Sequence, residues 1–91
     1  MPGPRLRKTL RSADHDALVA TLKDARDHAG LTQQQLADRL GRPQSFVAKY
    51  ENGERRIDVM EFVALATALN CDPMRVFRAF LTRAKAFEKT P

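Results

Sequence analysis

The chain has 91 residues, enough for one domain with a modest core near the lower size at which a fold stands without staples. Sixteen Lys and Arg against 11 Asp and Glu give a formal charge of +5, which favours a polyanionic partner. A single cysteine, Cys71, excludes an internal disulfide and a thiolate zinc cluster, and no apolar run approaches the ~20 residues that cross a bilayer.

Residues 1–12 hold Arg5, Arg7, Lys8 and Arg11 and no acid, among prolines and glycine, so they are expected to form a flexible basic arm. The opening Met1-Pro2-Gly3-Pro4-Arg5 lacks the apolar core of a secretory signal, and the expected compartment is the cytoplasm. The domain proper is expected over about 13–88. Helix one covers about 13–28, with Leu18, Leu22 and Ala25 inward. Its two histidines, His15 and His28, lie too far apart along the helix to share a ligand or a proton. With no glycine-rich phosphate loop and no acid pair at a catalytic spacing, neither an enzyme nor a metal or cofactor site is expected.

Thr32, with Gln35 three residues on, spells a capping box that starts helix two at about 33–40. Leu36, Ala37 and Leu40 form one apolar face, and Ala37 is small enough for a second helix to cross close above it. Gly41 can take the positive φ that ends this helix. Pro43 suits the first turn of helix three, about 43–51. Val47 and Tyr50 face inward there, and Asn52-Gly53 stops the helix. Two short helices joined by a tight glycine turn make a helix-turn-helix, slim enough for the second helix to enter a DNA major groove.

That geometry leaves Gln44, Ser45, Ala48 and Lys49 on the outer faces of helix three. The Gln44 amide donates and accepts together, which matches adenine N6 and N7. Ser45 can do either and is less selective, and Lys49 can reach guanine acceptors or a phosphate. Backbone contacts are expected from Gln33 at the start of helix two, where the helix dipole favours an anion. Arg42 before helix three, and Asn52, Arg55 and Arg56 after it, complete that set.

Asp58 forms a second capping box with Glu61 and starts helix four, expected to bury Val59, Phe62, Val63, Ala66 and Leu69. Cys71 reads as a small, partly buried side chain just before Asp72-Pro73, which starts helix five and carries it to about 87 or 88. Phe77, Phe80, Leu81, Ala84 and Phe87 recur along that helix at steps of three and four. The other helices can cover Val76 and Phe77, but not Phe80, Leu81, Ala84 and Phe87 as well. These four are therefore expected to form an apolar dimer interface.

The run from Leu18 to Phe77 resembles the phage-repressor-like (Xre-type) helix-turn-helix family. The likeness includes Tyr50-Glu51-Asn52-Gly53-Glu54-Arg55-Arg56 and Ala68-Leu69-Asn70-Cys71-Asp72-Pro73. It implies an all-α, compact five-helix, lambda-repressor-like domain that binds double-stranded operator DNA as a homodimer. It also implies base contact at Gln44, Ser45 and Lys49, bracing of Gln44 by Gln33, and a partly buried bidentate ion pair between Arg26 and Glu51. Pro43 replaces the polar residue of some relatives and removes one possible donor. The function implied is a sequence-specific transcriptional regulator, a repressor on a (pseudo)palindromic operator. The alternative is an antitoxin whose helix five covers a toxin protein.

Overall fold

A computed structural model describes residues 13–84, and they form five α-helices. These are α1 (Ala13–His28), α2 (Gln33–Leu40), α3 (Gln44–Glu51), α4 (Val59–Ala68) and α5 (Pro73–Arg83). The basic arm expected over residues 1–12 and the interface residue Phe87 lie outside the described residues.

Local chemistry sets most of the helix ends. The Thr32 hydroxyl accepts from the Gln35 N–H at 3.1 Å, and the Gln35 side chain accepts from the Thr32 N–H at 2.9 Å. Asp58 and Glu61 repeat the reciprocal pair at the start of α4, with bonds of 2.7 and 3.0 Å. Gly41 ends α2 at φ 67°, a left-handed conformation that costs a Cβ-free residue little. Asn70 takes φ 57° between α4 and α5, which its short polar side chain tolerates. Pro43 is not in the first turn of α3 but just before it, with φ −65° and ψ 151°. Its ring fixes φ, while the extended ψ makes it the boundary residue. No side chain caps α3.

The core gathers Leu22 of α1, Leu36 and Ala37 of α2, Phe46, Val47 and Tyr50 of α3, Leu65, Ala66 and Leu69 around α4, and Val76 of α5. Full burial of each large aliphatic or aromatic member contributes about 1.5–3 kcal/mol. Ala37 is wholly buried, as the crossing of α2 and α3 requires. Leu18 and Ala25 pack against this core from α1. Helix α5 lies against α1 and α4, and α2 lies against α3 and α4.

Four further expectations need correction. In α4, Val59 is 78% exposed and Val63 is also exposed, while Leu65 is fully buried. In α5, Val76 is covered but Phe77 stays 43% exposed. Ala84, expected in an uncovered interface, is only 1% exposed, so it belongs to the domain's own packing. Finally, α5 ends at Arg83, because Ala84 turns out of the helix at ψ 73° while its N–H still bonds the Phe80 carbonyl.

Candidate nucleic-acid interface

Helix α3 buries Phe46, Val47 and Tyr50, and this fixes its rotation about its own axis. Gln44, Ser45 and Lys49 are all exposed as a result. Lys49 makes no ion pair among the described residues. Ala48 is half-buried beside them.

Gln44 is not left to swing freely. Its Nε2 donates to the Gln33 Oε1 at 2.7 Å, across the turn between α2 and α3. The Gln33 Nε2 in turn donates to the Glu51 Oε1 at 2.8 Å. Glu51 is gripped by Arg26, whose Nε donates to Oε2 at 2.8 Å and whose Nη2 donates to Oε1 at 2.9 Å. Arg26 Nη1 also donates to the Leu31 carbonyl at 2.8 Å. The Glu51 side chain is only 4% exposed, so water competes little for these bonds. The hydrogen bond to Glu51, ahead of the opposing effect of burial, holds the Arg26 guanidinium above its already high ordinary pKa. Four side chains from three helices thus run without a break from the core to the exposed head of α3.

A second cluster flanks the other side of α3. The Phe46 ring meets two guanidinium groups, Arg42 at 4.4 Å and Arg55 at 4.8 Å from its centroid. Arg55 holds Glu61 through two bonds, Nη1 to Oε1 at 2.9 Å and Nη2 to Oε2 at 2.8 Å. Arg42 approaches the same carboxylate at 3.9 Å. The Arg55 hydrogen bonds are the main reason the Glu61 carboxyl sits below its ordinary pKa. An open hollow of about 650 Å³ lies elsewhere, between α1 and α5. A smaller one of about 390 Å³ is lined by Arg42, Ser45, Phe46, Lys49 and Arg55.

Of the expected backbone contacts, Arg56 and Asn52 are exposed after α3, Asn52 with its Nδ2 3.4 Å from Glu54 Oε2. Gln33 is half-buried and has both ends of its amide engaged inside the protein. Arg42 and Arg55 share Glu61, so part of their charge is already balanced. Sequence reading left Phe46 without a role and saw Glu61 only as a helix cap. An aromatic residue between two arginines, with an acid six positions past the second, is the signal that was available.

Comparison with known proteins gives the family and the fold. Residues 22–75 match the model of a family described as helix-turn-helix. An XRE-family like protein from Pseudomonas syringae pv. tomato is 47% identical, with a TM-score of 0.72 over 77% of this chain and 85% of that one. The restriction-modification controller protein C.AhdI from Aeromonas hydrophila is 33% identical, with a TM-score of 0.67 over 72% of this chain and 100% of that one. The controller protein C.Esp1396I, solved as a tetramer on its natural 35-base-pair operator, shares the fold at 16% identity, with a TM-score of 0.75 over 81% of this chain and 97% of that one. The chain belongs to the Xre-type helix-turn-helix family of DNA-binding transcriptional regulators.

Proposed function

We propose that the protein is a repressor that binds a (pseudo)palindromic operator as a homodimer, with the amino-terminal end of α3 in the major groove. The observation that carries this is the common exposure of Gln44, Ser45 and Lys49, with Gln44 held in place by Gln33. Gln44 reads adenine, Ser45 contacts a neighbouring base, and Lys49 reaches a guanine or a phosphate. Arg56, Asn52 and the two arginines beside Phe46 lie against the backbone and set register. C.Esp1396I, which shares the fold, is solved as a tetramer in complex with its operator, and binding by more than one copy suits this chain as well.

One recognition helix discriminates among few base pairs, too little against the ~10⁶ or more competing sites of a genome. Two copies related by a twofold axis add their readings, with the recognition helices about 34 Å apart. Among the described residues, the large apolar side chains left uncovered on these helices are Met74, Phe77 and Leu81 on α5, with Val59, Met60 and Val63 on α4. Phe62 and Phe77 meet edge to face at 6.0 Å, and Phe77 meets Phe80 at 5.7 Å, which links the two helices in one surface. That surface takes the second copy, with Phe80 and Leu81 kept from the expected interface. It also keeps the antitoxin reading open, because a toxin partner would need the same kind of patch.

The reading places the protein in the cytoplasm with the DNA, and among the described residues no helix is long and apolar enough to cross a membrane. Selection of genomic fragments by the purified full-length chain tests it. The expected result is enrichment of fragments sharing an inverted repeat. Recovery no better than bulk DNA at physiological salt would refute the regulatory reading.

A further inference from the structure

A carboxamide has two ends of nearly equal size, one a donor and one an acceptor, so its partners decide which way it faces. The side chain of Gln44 ends a line of bonds in which that choice is forced at every step. Arg26 offers only donors. Glu51 accepts three N–H bonds, two from Arg26 at 2.8 and 2.9 Å and one from Gln33 at 2.8 Å, and has no proton to give back. The end of Gln33 that faces Glu51 must therefore be its NH2. Reversal would set two acceptor oxygens 2.8 Å apart where the hydrogen bond now runs. The other end of Gln33 is then an oxygen, and Gln44 must meet it with Nε2, as it does at 2.7 Å.

We propose that Glu51 is a specificity-determining positioning residue, which fixes through Gln33 the direction of the Gln44 amide at the DNA. The proposal rests on the reading of Gln44 as a base contact. One Gln44 N–H is spent on Gln33. The other N–H and Oε1 remain, in a fixed order, as a donor–acceptor edge that pairs with adenine N7 and N6. With the amide reversed, donor and acceptor exchange places along the groove and the edge no longer registers with adenine in the same orientation. The charge that sets this direction sits in the core, two side chains away from the base.

The full-length protein tests this in two ways. In the DNA-free, nitrogen-15-labelled protein, one carboxamide proton of Gln33 and one of Gln44 are expected to exchange slowly with solvent. Glu51→Gln, which faces Gln33 with either end, should release the Gln44 proton. A wild-type Gln44 carboxamide exchanging as fast as an exposed glutamine would overturn the proposal. The second test selects from randomised duplex DNA with the wild type, Glu51→Gln, Gln44→Ala and the double variant. The wild type should prefer adenine about tenfold or more at one base pair per half-site. Glu51→Gln should lose most of that preference at that pair alone, and the double variant should be no looser there than Gln44→Ala. Retained preference, or an even loss at every position, would contradict it. Should Glu51→Gln not fold, Gln33→Ala cuts the same line and leaves the ion pair standing, with the same relaxation expected. A wild type that enriches no DNA would sink the regulatory reading, and the exchange measurement would still decide the direction of the amides.

Discussion

Arg26 and Glu51 are 25 positions apart and join the last turn of α1 to the last turn of α3 through two parallel hydrogen bonds of 2.8 and 2.9 Å. The pair is almost dry, with the two side chains 11% and 4% exposed. Both charges are bonded, so the pair costs little as it stands, but either partner left alone would be a bare charge in a closed site. Glu51→Leu should therefore lose about 3–5 kcal/mol. Arg26→Leu with Glu51→Leu should recover a large part of it. Urea denaturation of the two single variants and the double one reads the difference. Additive losses would mean that the two charges act independently.

Tyr50 is the chain's one tyrosine, wholly buried, and among the described residues its Oη has no hydrogen-bond partner. Burial, reinforced by the nearby Glu51, pushes its phenol well above the ordinary value. The native state then keeps its proton where an unfolded chain, titrating at about 10, has lost it. Stability from this group is complete below that pH and falls as pH rises through it toward the native value. Tyr50→Phe should keep the neutral-pH melting temperature or raise it, because it removes an unsatisfied hydroxyl. It should also melt with a weaker dependence on alkaline pH. A large loss of stability at neutral pH would indicate that the hydroxyl is bonded after all.

Glu61 restrains two arginines at the edge of α3. Glu61→Gln keeps the helix cap, since glutamine also completes a capping box, but it removes the charge that holds Arg55 and Arg42. Non-specific DNA binding should tighten, and the plot of log affinity against log salt should steepen by about 0.9 for each arginine that gains a phosphate. The carboxyl is held below its ordinary value chiefly by Arg55. The tether thus stabilises the fold above the ordinary carboxylate range and is lost as pH falls through the lowered native value. An unchanged salt slope would mean that neither arginine gains a phosphate when the tether to Glu61 is cut.

What the sequence made legible divides by distance along the chain. Both capping boxes, at Thr32 and Asp58, were readable because donor and acceptor are three residues apart. The turn at Gly41 was readable for the same reason. The pairing of Arg26 with Glu51, and of Gln33 with Gln44, came from family resemblance, because nothing in local spacing links residues that only the fold brings together. Helix α4 misled because it is apolar at nearly every position from Val59 to Leu69. A period of 3.6 selects a face only when the other face is polar, so the reading placed Val59 and Val63 inside and left out Leu65, which is fully buried. On α5 the neighbours Val76 and Phe77 point about 100° apart, and only Val76 is covered. The Phe46 cluster left only a trace in the sequence, the two arginines on either side of Phe46 and the acid beyond, because its contacts need the turn before α3, the loop after it and α4 placed together.

The uncovered surface of α4 and α5 predicts the assembly. Phe77→Glu with Leu81→Glu replaces two side chains that are 43% and 37% exposed, so the domain should remain folded. Light scattering at micromolar concentration should give a dimer for the wild type and a monomer for the variant, with much weaker operator binding. A wild-type monomer that binds an inverted repeat only one to one would show that this face serves another partner.

Competition binding of Gln44→Ala tests most directly whether the head of α3 reads sequence. Wild type and variant are titrated against the selected operator and against random duplex at the same salt concentration. The variant should lose about 1–3 kcal/mol on the operator and far less on random DNA. An unchanged preference for the operator, or an equal loss on both, would contradict the assignment of α3 as the recognition helix.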